Sequence, residues 1–163
     1  MAKMMKIAIR FMSAQDKSRI TEILRGTPEF KPFEVAVAEE LIDCYLENSF
    51  SSGYHILVAE VDSTVAGYIC YGSTPLTEGT WDIYWVAVAR EKQDQGIGSA
   101  LMKAAEKDIA RDKGRLSIIE TSSTPGYEKT RHFHLSQGFE IVAHIPDFYA
   151  PGDDKLILQK RLR

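Results

Sequence analysis

Cysteine is nearly absent. The chain has 163 residues and only two cysteines, Cys44 and Cys70, which lie far apart and outside any CxxC pair. A disulfide framework is therefore excluded, and with no histidine cluster at ligand spacing no metal is expected. Cys44 falls in a helical pattern and Cys70 in a strand pattern. Both read as small buried hydrophobes in a reducing compartment. A basic excess is also missing. Lys and Arg number 20 against 23 Asp and Glu, for a net charge of -3 and a pI near 5.8. That argues against a nucleic-acid surface, although a local basic pocket for a phosphorylated cofactor remains compatible. No window approaches the ~18 apolar residues of a membrane span. "MAKMMKIAIRF" has positive charges but no apolar run before a small-residue cleavage site. A cytoplasmic protein is expected. Repeats, low-complexity tracts and linkers are absent too, so residues 1–163 are expected to form a single domain.

What is present alternates between strand and helix patterns. "MKIAIRFM" reads as a strand. "SAQDKSRITEILRG" reads as a helix with Ser13 as N-cap and Gly26 past its end. After the Pro-punctuated "TPEFKPF", "EVAVAEELIDCYLENS" sets Val35, Ala38, Leu41, Ile42 and Tyr45 at helical spacing. "YHILVAEV" and "VAGYICYG" flank "DST" as a hairpin, and "WDIYWVAVA" is strongly β-prone. Alternation along it puts Trp81, Ile83 and Trp85 on one face, and Asp82, Tyr84 and Val86 on the other. A helix follows with Ile97, Leu101, Ala104, Ala105 and Ile109 as its apolar stripe, stopped at Gly114. "RLSIIET" is a strand, "YEKTRHFHLSQG" a short helix, and "FEIVAHI" and "KLILQKRL" two strands joined by the loop "PDFYAPGDD". The order β α α β β β α β α β β implies an α+β, mixed α/β domain rather than a doubly wound one.

Between a strand and a helix lies "QDQGIG", Gln93 to Gly98. Its glycines permit close backbone approaches, and the helix that starts there offers unpaired N–H groups and a positive dipole end. Together these make a pyrophosphate site. GxxxxGK followed by Ser or Thr is absent, as is GxGxxG, which excludes a P-loop and a dinucleotide fingerprint. The run from Val86 through Gln93, Gly96 and Gly98 resembles the acetyl-CoA motif of the GNAT superfamily of N-acetyltransferases. That motif is Gln or Arg, two residues, Gly, one residue, then Gly or Ala. The order of elements resembles the family's nearly end to end, as does the late helix running into "GF" at Gly138 and Phe139. The closest look is to protein N-terminal alanine acetyltransferases.

The resemblance implies a GNAT fold, with a central, mostly antiparallel seven-stranded sheet and about four helices. It implies acetyl-CoA as acyl donor and direct transfer to a primary amine in a ternary complex. Val86, Ala87 and Val88 would pair with the pantetheine arm. Gln93, Asp94, Gln95, Gly96, Ile97, Gly98 and Ser99 would cradle the phosphates. Arg131, Phe133 and His134 would lie beside the cofactor.

Amine acetylation calls for a base, because an amine of pKa ~10 is protonated at pH 7. Two strand-end carboxylates are candidates, Asp82 and Glu120. The resemblance favours Glu120. In the family a tyrosine four residues before the "GF" glycine is thought to protonate the departing thiolate. Here His134 stands there, and it can donate either as imidazolium or as a neutral N–H. Tyr127, seven residues earlier on the same helix face, and Tyr149 are alternative donors. His132 is expected to be exposed.

For the acceptor, "IPDFYAPGDDK" offers Asp147, Phe148 and Tyr149. It resembles the aromatic loop of N-terminal acetyltransferases. Phe30 and Phe33 in the segment 26–34, and Tyr84, are further candidate walls. Aromatic faces and carboxylates suit a cationic amine. Two acceptor classes compete: a protein N-terminus, or a small amine such as an amino acid, polyamine or antibiotic. A non-catalytic acyl-CoA-binding or interaction domain is the rival from another class. Family habit allows a homodimer; no nucleic-acid or membrane partner is expected.

Overall fold

The computed structural model describes residues 5–163. Seven strands form where β-branched and aromatic residues concentrate: β1 (Ile7–Phe11), β2 (Tyr54–Val61), β3 (Thr64–Ser73), β4 (Thr80–Val88), β5 (Leu116–Ser122), β6 (Glu140–Ala150) and β7 (Asp153–Arg161). They make one sheet in the order β1-β2-β3-β4-β5-β7-β6. Only the β4–β5 pair is parallel; the other neighbours run antiparallel. The helices are α1 (Lys17–Arg25), α2 (Pro32–Glu47), α3 (Ser49–Ser52), α4 (Ile97–Arg111) and α5 (Glu128–Ser136). The count exceeds the expected four by α3, a single turn too short to show a periodicity. Asn48 caps it by accepting from the Ser51 amide at 3.1 Å.

Helices cover both faces of the sheet. Ile97, Leu101, Met102, Ala105 and Ile109 of α4 pack on Leu57, Ile69, Tyr71, Trp81 and Ile83, with Phe139 and Leu158 completing that core. Ile20, Ile23 and Leu24 of α1 and Val35, Ala38 and Ile42 of α2 pack on Ile56, Val58, Tyr68 and Cys70 on the opposite face. Each fully buried aliphatic side chain stabilises by roughly 1.5–3 kcal/mol, so the two stripes anchor the layers.

Three sequence expectations are corrected. Cys44 is exposed while Cys70 is buried, because Cys44 lies on the face of α2 turned away from the sheet. The β3–β4 register slips between Cys70 and Tyr71, which pair with Trp85 and Ile83. Tyr84 is the extra residue of a bulge, and a bulge resets the alternation. Val86 therefore joins the core of Trp81 and Ile83, and Trp85 turns to the opposite one. Finally, "PDFYAPGDD" is mostly strand. β6 continues to Ala150, and the reversal is confined to Pro151 and Gly152. Residues 146–149 bulge out between the pairs Ile145↔Lys155 and Ala150↔Asp153.

Candidate active site

The β4–β5 ladder runs from Thr80↔Leu116 to Ile83↔Ile119 and stops. From Tyr84 onward β4 has no partner on its β5 side, and the sheet opens as a fork. A cleft of about 1240 Å³ fills the opening. That exceeds the ~300–1,000 Å³ of a drug-sized site and leaves room for a long cofactor and a second reactant. Val86, Ala87 and Val88 line it. Their open strand edge offers backbone groups to an extended amide chain, the strand-addition mode of recognition.

The glycine turn and the start of α4 form one end of the cleft. Gly96 caps α4 with φ 82° and leaves the N–H groups of the first turn unpaired. A Cβ on Gly98 would stand 3.0 Å from the Phe133 ring, so a larger residue there would press on the α5 side chain that packs against this helix start. The Gln93 amide donates to the Val88 carbonyl at 3.3 Å. Lys129 donates to Gln93 Oε1 at 3.1 Å and to Asp94 at 3.3 Å, holding the turn to α5. Lys92, Lys129, Thr130 and Ser136 line the same end. Of these the sequence reading had named none. The signal was the basic and hydroxyl content of "EKTRHFHLS", the helix facing the glycine turn.

His134 lies in the wall between the two ends. It is buried, with ring centroids 5.3 Å from Phe133 and 6.0 Å from Phe139. Its Nδ1 has no hydrogen-bond partner. Burial disfavours the imidazolium and lowers its pKa to about 4. The ring is therefore neutral at pH 7, and only its N–H is available as a donor.

This has a stability consequence. Between pH 6.5 and about 4 the unfolded chain takes up a proton at residue 134 that the native state refuses. The stabilisation is complete above pH 6.5 and is lost as pH falls towards 4, by an amount on the order of 3 kcal/mol. Urea unfolding at pH 7 and pH 4.5 should show a smaller pH dependence in His134→Phe than in the wild type. Equal dependence in both would contradict a buried neutral His134.

The opposite end of the cleft is aromatic and acidic. Glu120 is one position past the last ladder pair, and Asp82 one before it. Both line the cleft with Glu29, Glu34 and Asp153. Phe30 stacks edge-on to Trp85 at 5.3 Å, fixing the 27–34 segment over the fork. Phe33, Tyr84, Tyr127 and Tyr149 complete the wall. Burial, with Asp82 and Glu120 nearby, pushes the Tyr84 phenol up to about 12. Tyr149 is likewise pushed up to about 12 by burial, then by Glu120 and Asp153. Lys155 donates to Glu120 at 2.8 Å and sits 3.7 Å over the Phe148 ring.

Tyr127 is not on α5 but in the 3-10 turn before it. Helical spacing to His134 therefore does not apply. Its hydroxyl donates to Glu34 at 3.1 Å across the cleft, and burial beside that carboxylate raises its pKa. His132 is exposed as expected, at the rim of the cleft. Four proposed site residues, Phe148 among them, stand outside the lining. Arg131 donates to the carbonyls of Ser122 and Thr124, both at 2.8 Å, tying α5 to the end of β5. Asp147 accepts from the Gly152 amide at 2.8 Å and braces the last hairpin. Gln95 projects from the glycine turn into solvent. Among the described residues no group of three or more His, Cys, Asp or Glu gathers as a metal site, and no helix is long and apolar enough to cross a membrane.

A parallel pair that forks, a glycine turn opening a helix at the fork, and a carboxylate just beyond the last ladder pair are the arrangement that the resemblance in the sequence implies. The family model for the acetyltransferase (GNAT) family matches residues 17–139, and the chain belongs to that family. It is 31% identical to an uncharacterized N-acetyltransferase of Methanocaldococcus jannaschii, over 94% of this chain and 90% of the relative. An L-amino acid N-acyltransferase of Escherichia coli is 27% identical, over 86% and 83% of the two chains. Among solved structures, an acetyltransferase of the GNAT family from Desulfovibrio desulfuricans superposes with a TM-score of 0.93 at 40% identity, covering 97% of this chain and all of that one. The protein is an acetyltransferase.

Proposed function

We propose that the protein transfers acetyl directly from acetyl-CoA to a primary amine that enters as a cation. The supporting observation is the fork. It sets Glu120 in the cleft one position beyond the last β4–β5 pair, where a thioester on an arm lying along Val86–Val88 would end. In this reading the amide groups of Ile97, Gly98 and Ser99 hold phosphate oxygens. Glu120, directly or through a water, takes the amine's proton. The nitrogen attacks the thioester carbon, the C–S bond breaks, the thiolate leaves, and the nitrogen's second proton passes to the thiolate or to water. Asp82 is held by the Thr74 hydroxyl at 2.6 Å within the paired part of the strand, and in this reading it adds charge rather than accepting the proton.

His134 donates a neutral N–H to the departing sulfur. A thiolate of pKa ~8.5 is a fair leaving group near neutrality and needs no strong acid. His134→Tyr, which restores the family's residue, should change the turnover rate and its pH profile. An unaltered profile would remove His134 from the mechanism.

A small amine is favoured by the Tyr127–Glu34 bond, which bridges the acceptor end of the cleft. A protein N-terminus is the second reading, supported by the Phe148–Tyr149 pair on the last hairpin, with ring centroids 5.1 Å apart. Thiol release from acetyl-CoA, with and without a panel of small amines and short peptides, tests the proposal. Amine-dependent release with acetylated product supports it. Bound acetyl-CoA with no release on any amine contradicts it.

A further inference from the structure

The acceptor end of the cleft holds more negative charge than one ammonium can offset. Glu29, Glu34, Asp82, Glu120 and Asp153 all line it, with Lys31 as the cation beside them. Lys155 neutralises Glu120. The other carboxylates are bonded by neutral groups: Glu34 by the Tyr127 hydroxyl and the Lys31 amide, Asp82 by the Thr74 hydroxyl, and Asp153 by the Ser122 hydroxyl. Glu29 has neither an ion pair nor a hydrogen bond among the described residues. Like charges facing a half-enclosed cleft repel one another and draw in cations.

A contact beside the cleft shows what one of its carboxylates accepts. Lys155 carries its ammonium between the Glu120 carboxylate at 2.8 Å and the face of Phe148 at 3.7 Å, and its side chain is only 11% exposed. An alkylammonium is thus already seated between the cleft carboxylate Glu120 and the face of Phe148 just outside the lining, a pairing that recognises organic cations.

The chemistry sharpens the argument. When Glu120 takes the proton the site's net charge is unchanged, but a monoamine is left with no charge for the remaining carboxylates to hold. An acceptor with a second ammonium keeps one charge facing the wall while the first nitrogen reacts. A carboxylate beside the reacting nitrogen, as in a free amino acid, would instead meet like charge.

Resting on the acetyl-transfer reading above, we infer that the acceptor is a small aliphatic di- or polyamine, one of whose ammonium groups is held by Glu29, Glu34 and Asp153 while another is acetylated at Glu120.

The test compares isosteric acceptors. 1,4-Diaminobutane and butylamine differ by one terminal amine, and an α-amino acid and its amide differ by one carboxylate. kcat/KM for the diamine should exceed that for butylamine by about ten- to a hundredfold, the effect of one charge-assisted contact. The excess should shrink as salt rises. The amino acid should be acetylated more slowly than its amide. Glu29→Gln and Asp153→Asn should each bring the diamine-to-monoamine ratio towards one, and Glu29→Asp should retain most of it. Coenzyme A binding by the same samples serves as the control for folding.

Equal rates for diamine and monoamine, a preferred free amino acid, or a ratio unmoved in both variants would overturn the inference and leave the acetyltransfer reading standing. Failure of every amine despite bound acetyl-CoA would defeat that reading, and this inference with it.

Discussion

Replacing Glu120 with Gln is expected to lower kcat/KM for the amine by about 10²–10⁴-fold, the usual contribution of a positioned base, without weakening coenzyme A binding. Gln keeps the shape and cannot accept the proton. Glu120 lies on β5, two residues before its end, and not in the glycine turn, so cofactor affinity should be unaffected. The substitution also orphans the largely enclosed Lys155 ammonium, which could slow turnover by distortion alone. The double variant Glu120→Gln with Lys155→Met removes that ammonium. A loss of rate that persists there belongs to the missing base. The loss should also shrink as pH approaches the amine's own pKa near ~10, where free amine needs no base. A deficit constant across pH would assign Glu120 a structural role.

Gly98→Val is expected to weaken coenzyme A binding by about five- to a hundredfold. Its Cβ would meet the Phe133 ring at 3.0 Å before the two branch methyls are counted. Overpacking at that level typically costs 1–3 kcal/mol, and ~1.4 kcal/mol is tenfold in affinity. The ring can yield by moving into the cleft it lines, or by pushing α5 off the helix start proposed to hold the phosphates. Isothermal titration with coenzyme A measures the effect. Phe133→Ala in the Gly98→Val background removes the obstacle and should restore part of the affinity. No recovery would mean that the valine acts on the backbone amides rather than through Phe133.

Much of the fold is legible in the sequence because it is written locally. The hairpin at Asp62–Ser63 has two polar residues with positive φ between two apolar runs. The glycine turn is a strand, two glycines and a helix within a dozen residues. The α4 stripe is buried where its periodicity places it. What was missed depends on contacts across the chain. Trp85 changes face because one residue, Tyr84, bulges against β3. Alternation alone cannot register an inserted residue. The last loop is strand because β7 supplies partners on both sides of a four-residue bulge. Its Pro, Gly and Asp content favours turns and conceals that. Tyr127 leaves the helix because "TPG" starts a 3-10 turn before α5. The acidic wall gathers residues 29, 34, 82, 120 and 153 from five separate segments, and no spacing rule links them. Arg131, which the family resemblance implies lies beside the cofactor, donates to two backbone carbonyls whose position only the folded β5 end defines.

The central claim is direct transfer within the fork. It is tested most directly with acetyl-CoA carrying a labelled acetyl group, mixed with a stoichiometric amount of the protein and an aliphatic diamine, with every species weighed after one turnover. The account predicts the label on the amine, free coenzyme A in equal amount, and protein of unchanged mass. Label left on the thioester or lost to water while acetyl-CoA is bound, or label first captured on the protein and then passed to the amine, would contradict it.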